Sequence, residues 1–91
     1  MTYKLFEHNK AKNFFKRYKN NKKLLLRINK EYKKILKDPF NSSYTELNSV
    51  KCPKCYRARV GNFRIIFYIS EENGFIEVID IIPRKDNYKL F

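Results

Sequence analysis

The chain reads as an α+β protein: an N-terminal strand, an antiparallel helical hairpin and then a three-stranded antiparallel meander. Three observations predict this. Apolar residues recur at helical spacing between residues 10 and 37, period-2 alternation takes over near Cys55, and Gly61-Asn62 sits between two alternating runs where a two-residue hairpin link belongs. Ninety-one residues, 43% of them apolar with eight Phe and seven Tyr, suit one small domain spanning residues 1–91 with a modest core.

Met1 to Phe6 alternates weakly, Tyr3 and Leu5 against Lys4 and Phe6, and is read as the first strand. Asn9 is placed to cap a helix beginning near Lys10, in which Ala11, Phe14, Phe15 and Tyr18 fall on one side. Asn20-Asn21 breaks it. A second helix runs from about Lys22 to Lys37, with Leu25, Ile28, Tyr32, Ile35 and Leu36 as its buried stripe. It ends at Asp38-Pro39, because the residue before a proline is pushed out of the helical region. Residues 39–54 show little periodicity and are expected to form a loop in which Leu47 anchors to the core.

The meander follows as Cys55 to Ser70 folded at Gly61-Asn62, then a turn at Glu71 to Gly74, then the strand FIEVIDII from Phe75 to Ile82. Gly61 supplies the positive φ that a type I′ or II′ turn demands. Closing the hairpin there sets Val60 opposite Phe63, Arg59 opposite Arg64, Ala58 opposite Ile65 and Arg57 opposite Ile66. One face then carries Arg57, Arg59 and Arg64, and the other Ala58, Val60, Phe63, Ile65, Phe67 and Ile69. Like charges directly opposite on a sheet are unfavourable by about 0.2–1 kcal/mol, so an anionic ligand on the arginine face would relieve the repulsion. Solvated arginines covering apolar surface with their stems are the alternative.

The net charge of +12 is segmental: residues 8–37 hold twelve Lys and Arg against the single acid Glu31, and so account for +11 of it. Such density points to nucleic acid, with an anionic membrane surface or acidic protein as lesser candidates. No apolar run approaches a membrane span of roughly 20 residues, and Met1 to His8 has no apolar core of a signal peptide. A cytoplasmic protein with no membrane association is expected.

Several chemistries are unsupported. His8 is the only histidine, so a two-histidine nuclease is excluded and a Ser or Cys nucleophile lacks an obvious base. The nine acids form no metal-ligand spacing, and Cys52-Pro53-Lys54-Cys55 supplies only two of the four ligands a structural zinc needs. No metal or cofactor is expected, and the cysteines are read as plain thiols or a local disulfide. Guanidinium groups and Tyr88 remain. Arginine presents a permanently charged planar fork to phosphate, and RNA carries its own nucleophile in the 2′-OH. A metal-free cleavage then requires only alignment and charge stabilisation.

The basic helical hairpin ending at Asp38-Pro39, the segment CYRARVGNFRII from Cys55 to Ile66 and the ending IPRKDNY from Ile82 to Tyr88 together resemble RelE-type toxins of the RelE/ParE toxin–antitoxin superfamily. The resemblance covers nearly the whole chain. It implies a RelE-like fold and a ribosome-dependent mRNA endoribonuclease that cuts in the A site, held in check by a cognate RelB-like antitoxin. Carried over by residue, it assigns Arg64 and Arg84 to the scissile phosphate and Tyr88 to stacking or proton transfer there. Arg57 and Arg59 fall where some members have lysines and suit phosphate orientation better than proton abstraction. Lys16, Lys19, Lys30 and Lys33 would bind the ribosome's RNA.

Two other functions compete: a ParE-like toxin that inhibits a topoisomerase through a protein interface, and a catalytically silent RNA-binding module. The register of the last strand also stays open. A plain four-residue turn at Glu71 to Gly74 sets Arg64 opposite Ile81 and puts Arg84 on the other side of the sheet, whereas a one-residue shift or a bulge near Pro83 returns it to the arginine face.

Overall fold

A computed structural model describes residues 3–49 and 52–84. Its elements are β1 (Lys4–Glu7), α1 (Asn9–Arg17), α2 (Lys22–Lys37), β2 (Thr45–Ser49), β3 (Cys52–Val60), β4 (Phe63–Ser70) and β5 (Phe75–Pro83). The five strands form one sheet in the order β1-β5-β4-β3-β2, with β1 parallel to β5 and the other pairs antiparallel. The predicted α+β arrangement of strand, helical pair and meander is present, with two additions. The loop expected over residues 39–54 contains β2, and β3 begins at Cys52, three residues earlier than expected. β2 reads TELNS and has little strand signature of its own; its pairing with β3, Leu47 against Cys55, makes it a strand.

Both helices pack on one face of the sheet, α1 against β5 and β1, α2 against β3. From the helices the core takes Ala11, Phe14, Leu24, Ile28, Tyr32 and Ile35, and from the sheet Ala58, Val60, Ile65, Phe67, Ile69, Ile76, Val78 and Ile81. Leu25 and Leu36 flank this stripe as partly buried residues, and Leu24 takes the inner place expected for Leu25. Phe67, fully buried, lies under Tyr44 and Tyr56 with ring centroids 5.5 and 5.9 Å away. Burying one such side chain contributes about 1.5–3 kcal/mol, a large fraction of a small domain's net stability.

The helix ends explain themselves locally. His8, not Asn9, caps α1: its extended backbone (φ −68°, ψ 158°) lets Nδ1 accept from the Lys10 N–H at 3.2 Å. The single histidine therefore has a structural task. Asn21 Oδ1 accepts from the Leu24 N–H at 3.2 Å and caps α2. Lys16 and Arg17 in the last turn of α1, and Lys34 and Lys37 in that of α2, favour the negative helix ends. Between the layers, the Tyr32 hydroxyl donates to Glu7 Oε2 at 2.9 Å and the Tyr44 hydroxyl to Glu31 Oε2 at 2.8 Å.

A second apolar cluster lies on the sheet's other face, where Leu47, Cys55 and Ile66 are buried and Cys52, Tyr68, Ile79 and Ile82 are partly so. The middle of β4 is thus buried on both sides, which is why FRIIFYIS alternates poorly. Cys52 and Cys55, with Cα atoms 5.5 Å apart, are close enough to pair and are joined as a disulfide, the form expected of them under oxidation.

Candidate nucleic-acid cleft

The β3–β4 hairpin positions the arginines, and its register is the one the two-residue turn requires: Val60 with Phe63, Arg59 with Arg64, Ala58 with Ile65, Arg57 with Ile66. Gly61 has φ of 57° and no other residue type among the described residues has positive φ, so the turn follows the II′ pattern. The Arg27 guanidinium reaches over this turn from α2; a Cβ on Gly61 would stand 2.9 Å from Nη1. Glycine is needed there for its backbone angle, while the guanidinium, the far end of a flexible side chain, has room to shift.

Whether Arg84 joins Arg64 is decided in β5. From Ser70–Phe75 to Phe67–Val78 the pairing follows the plain four-residue turn, but the next pair is Ile66 with Asp80. Ile79 is an extra residue, a bulge. It shifts every later pair by one, so Arg64 faces Ile82 rather than Ile81, and Ile81 turns into the core, 4% exposed. By strand alternation Arg84, two residues beyond Ile82, falls on the side of Arg64. The bulge lies four residues before Pro83, not beside it. Past the end of β5 the Arg84 N–H donates to the Asn62 carbonyl at 2.6 Å, which holds Arg84 against the hairpin turn.

Arg64 and Arg84 consequently line one cleft of about 780 Å³, together with Tyr18, Asn62, Phe63 and Pro83. Half-buried Arg64 and exposed Arg84 give its lining two cationic groups, while Tyr18, Phe63 and Pro83 give it apolar surface. Two guanidinium forks in a part-desolvated recess suit a phosphodiester. Arg59, though directly across from Arg64, lines a separate cleft of about 900 Å³ with Lys34, Lys37, Glu31, Asp38 and Tyr44. Arg57 is half-buried on the same sheet face. Tyr88 lies outside the described residues.

Lys16, Lys19, Lys30 and Lys33 are all exposed, and none lines either of these clefts. They belong to the exposed surface of the helical hairpin and not to the lining of these clefts. Helix periodicity puts Tyr18 in the buried stripe and gives no hint of its place at the cleft; the one signal for it is its position at the end of α1, beside the break. Arg27 is invisible to sequence reasoning because its task depends on a turn 34 residues away in the chain.

Electrostatically, the tyrosines are the perturbed groups. Burial first, then the charge and hydrogen bond of Glu7, hold the Tyr32 hydroxyl far above the usual tyrosine range. Burial and then Glu31 do the same to Tyr44, and burial with Glu46 and Glu71 raises Tyr56. These hydroxyls stay protonated and serve structure. Among the described residues no three His, Cys, Asp or Glu side chains gather to hold a metal, and no helix is long and apolar enough to cross a membrane.

Solved structures with this architecture include a YoeB/ParE toxin from Agrobacterium tumefaciens (TM-score 0.76, 15% identity, covering 88% of this chain and 96% of that one). The toxin–antitoxin complex RelBE2 from Mycobacterium tuberculosis is similar at TM-score 0.74 and 14% identity, over 92% of this chain and 100% of that one. An arginine double mutant of the E. coli toxin RelE in the free state is similar at TM-score 0.73 and 18% identity, over 93% and 86%. No curated protein sequence matches. The mixed sheet under two basic helices is thus the fold of RelE/ParE superfamily toxins. Residues 7–88 match the family model described as the ParE toxin of the type II toxin–antitoxin system parDE, and the chain belongs to that family.

Proposed function

We propose that this type II toxin is a ribosome-dependent mRNA endoribonuclease that cleaves in the A site without a metal. The observation that carries the reading is the meeting of Arg64 and Arg84 in one cleft, brought about by the Ile79 bulge. In the reaction the 2′-oxygen loses its proton and bonds to the adjacent phosphorus while the bond to the 5′-oxygen breaks, leaving a 2′,3′-cyclic phosphate and a 5′-hydroxyl. Negative charge grows on the phosphoryl and leaving oxygens as this happens. Fixed guanidinium groups stabilise that charge better than water, which must reorganise around it. Arg64 and Arg84 take this role, Arg57 and Arg59 orient flanking phosphate, and Tyr88 stacks on the scissile nucleotide or moves its proton. Permanently protonated arginines cannot act as the general base near neutral pH.

Lys16, Lys19, Lys30 and Lys33 supply long-range attraction to mRNA and rRNA on the ribosome. The M. tuberculosis relative was solved as a toxin–antitoxin complex, and an archaeal RelE–RelB complex from Pyrococcus horikoshii is also similar (TM-score 0.56, 22% identity, covering 96% of this chain and 100% of that one). We assign this chain a RelB-like antitoxin with acidic residues facing the arginines, and a cytoplasmic setting. In vitro translation with mapping of mRNA 5′ ends tests the function, and cuts confined to the A site are the expected result. The family match to ParE favours one other reading, inhibition of a topoisomerase through a protein interface. Uncut mRNA together with inhibited supercoiling would replace the first reading with the second.

A further inference from the structure

We infer that the cleft holds one unpaired RNA nucleotide with its base on the ring of Tyr18 while Arg64 and Arg84 hold its phosphate, which makes Tyr18 an RNA-binding residue of the site. The inference deepens the proposed function and rests on reading the cleft as an RNA site.

Tyr18 is the C-cap residue of α1, just where the backbone leaves the helix (φ −105°, ψ 22°). It is fixed before any ligand arrives. Its ring lies on Phe14 with centroids 4.6 Å apart and planes inclined by 36°, and meets Phe63 edge to face at 5.4 Å and 75°. Phe63 in turn contacts Phe14 at 5.2 Å, so the three rings form a closed cluster rooted in the core. Tyr18 nevertheless stays half-buried and lines the cleft. An aromatic ring already immobilised on one side loses little freedom when a base stacks on it.

The lining of the cleft matches the two halves of a nucleotide. Tyr18, Phe63 and Pro83 meet a base, and Arg64 and Arg84 meet its phosphate. A volume of about 780 Å³ lies in the range that holds small ligands. A paired base has both faces occupied by its neighbours in the stack, so the occupant is single-stranded. Stacking accepts any base, and the contact adds affinity and position without sequence preference.

The test uses a labelled 2′-O-methyl trinucleotide, which cannot supply the attacking hydroxyl, and fluorescence polarisation with the whole protein. Tyr18→Phe should bind like the parent, and Tyr18→Leu should bind more weakly on the order of 10-fold. That loss should disappear for a trinucleotide whose bases are removed. Equal affinity of Tyr18→Leu and parent, or a loss that persists with the abasic ligand, overturns the inference. The chain has no tryptophan, so Tyr18→Trp is a single indole reporter should the leucine variant fail to fold. Quenching at saturating trinucleotide supports the inference, and unchanged emission overturns it. Cleavage of ribosome-bound mRNA by the parent is read separately. Tyr18-dependent binding without cleavage would sink the nuclease reading alone, and cleavage with Tyr18-independent binding would sink this inference alone.

Discussion

Tyr32→Phe should lower stability at neutral pH and remove one proton's share of the alkaline loss of stability. Tyr32 is 8% exposed, and its hydroxyl donates to Glu7 Oε2 at 2.9 Å, joining α2 to the four-residue edge strand β1. A hydrogen bond to a charged acceptor contributes about 1.5–3 kcal/mol, and phenylalanine would leave the half-buried Glu7 carboxylate without it. Burial, then Glu7, raise the folded-state pKa above the ordinary 10.0. The unfolded chain therefore releases this proton first. The tyrosine's contribution is complete below the unfolded value of about 10 and is lost as pH rises from there towards the folded value, by up to about 1.4 kcal/mol per pH unit. Tyr44 and Tyr56 are shifted in the same direction and remain in the variant. Urea unfolding of parent and variant at steps between neutral pH and roughly one unit above the tyrosine value measures both effects. Equal neutral stability with an identical alkaline slope would refute the reasoning.

Gly61→Ala and Gly74→Ala should both destabilise in thermal melts, by similar amounts, because both backbones have positive φ (57° and 68°) and the Arg27 guanidinium 2.9 Å from a Cβ on Gly61 ends a flexible side chain; a much larger loss at Gly61 would show that Arg27 is held in place. A cost of about 1–2 kcal/mol is expected for each backbone. Replacing Lys16, Lys19, Lys30 and Lys33 together by Gln should flatten the salt dependence of ribosome binding, since each phosphate that is no longer neutralised takes roughly 0.7–0.9 off the log–log slope; an unchanged slope would reduce these lysines to a solvated face. Arg84→Ala should slow cleavage on the order of 10²-fold while altering ribosome binding little, and Tyr88→Phe separates a proton-transfer role (large loss) from stacking (small loss). Parental cleavage rates in both variants would place the active site elsewhere.

Much of this molecule is written locally. The helices follow from apolar spacing and from Asp38-Pro39, and the central hairpin from Gly61-Asn62, because a two-residue turn leaves only one register. The segregation of Arg57, Arg59 and Arg64 from Ala58, Val60 and Ile65 then follows from alternation alone. Tertiary structure decided what adjacency in sequence cannot carry. TELNS is a strand because β3 offers it an edge, and β1 joins the sheet by parallel pairing with a strand about seventy residues later. Above all, the side on which Arg84 stands depends on one extra residue within FIEVIDII. Nothing in that apolar run marks Ile79 as the one to bulge, since any of its neighbours could be skipped with the same local propensity. The choice falls to packing, which turns Ile81 into the core under the helices and thereby carries Arg84 round to Arg64.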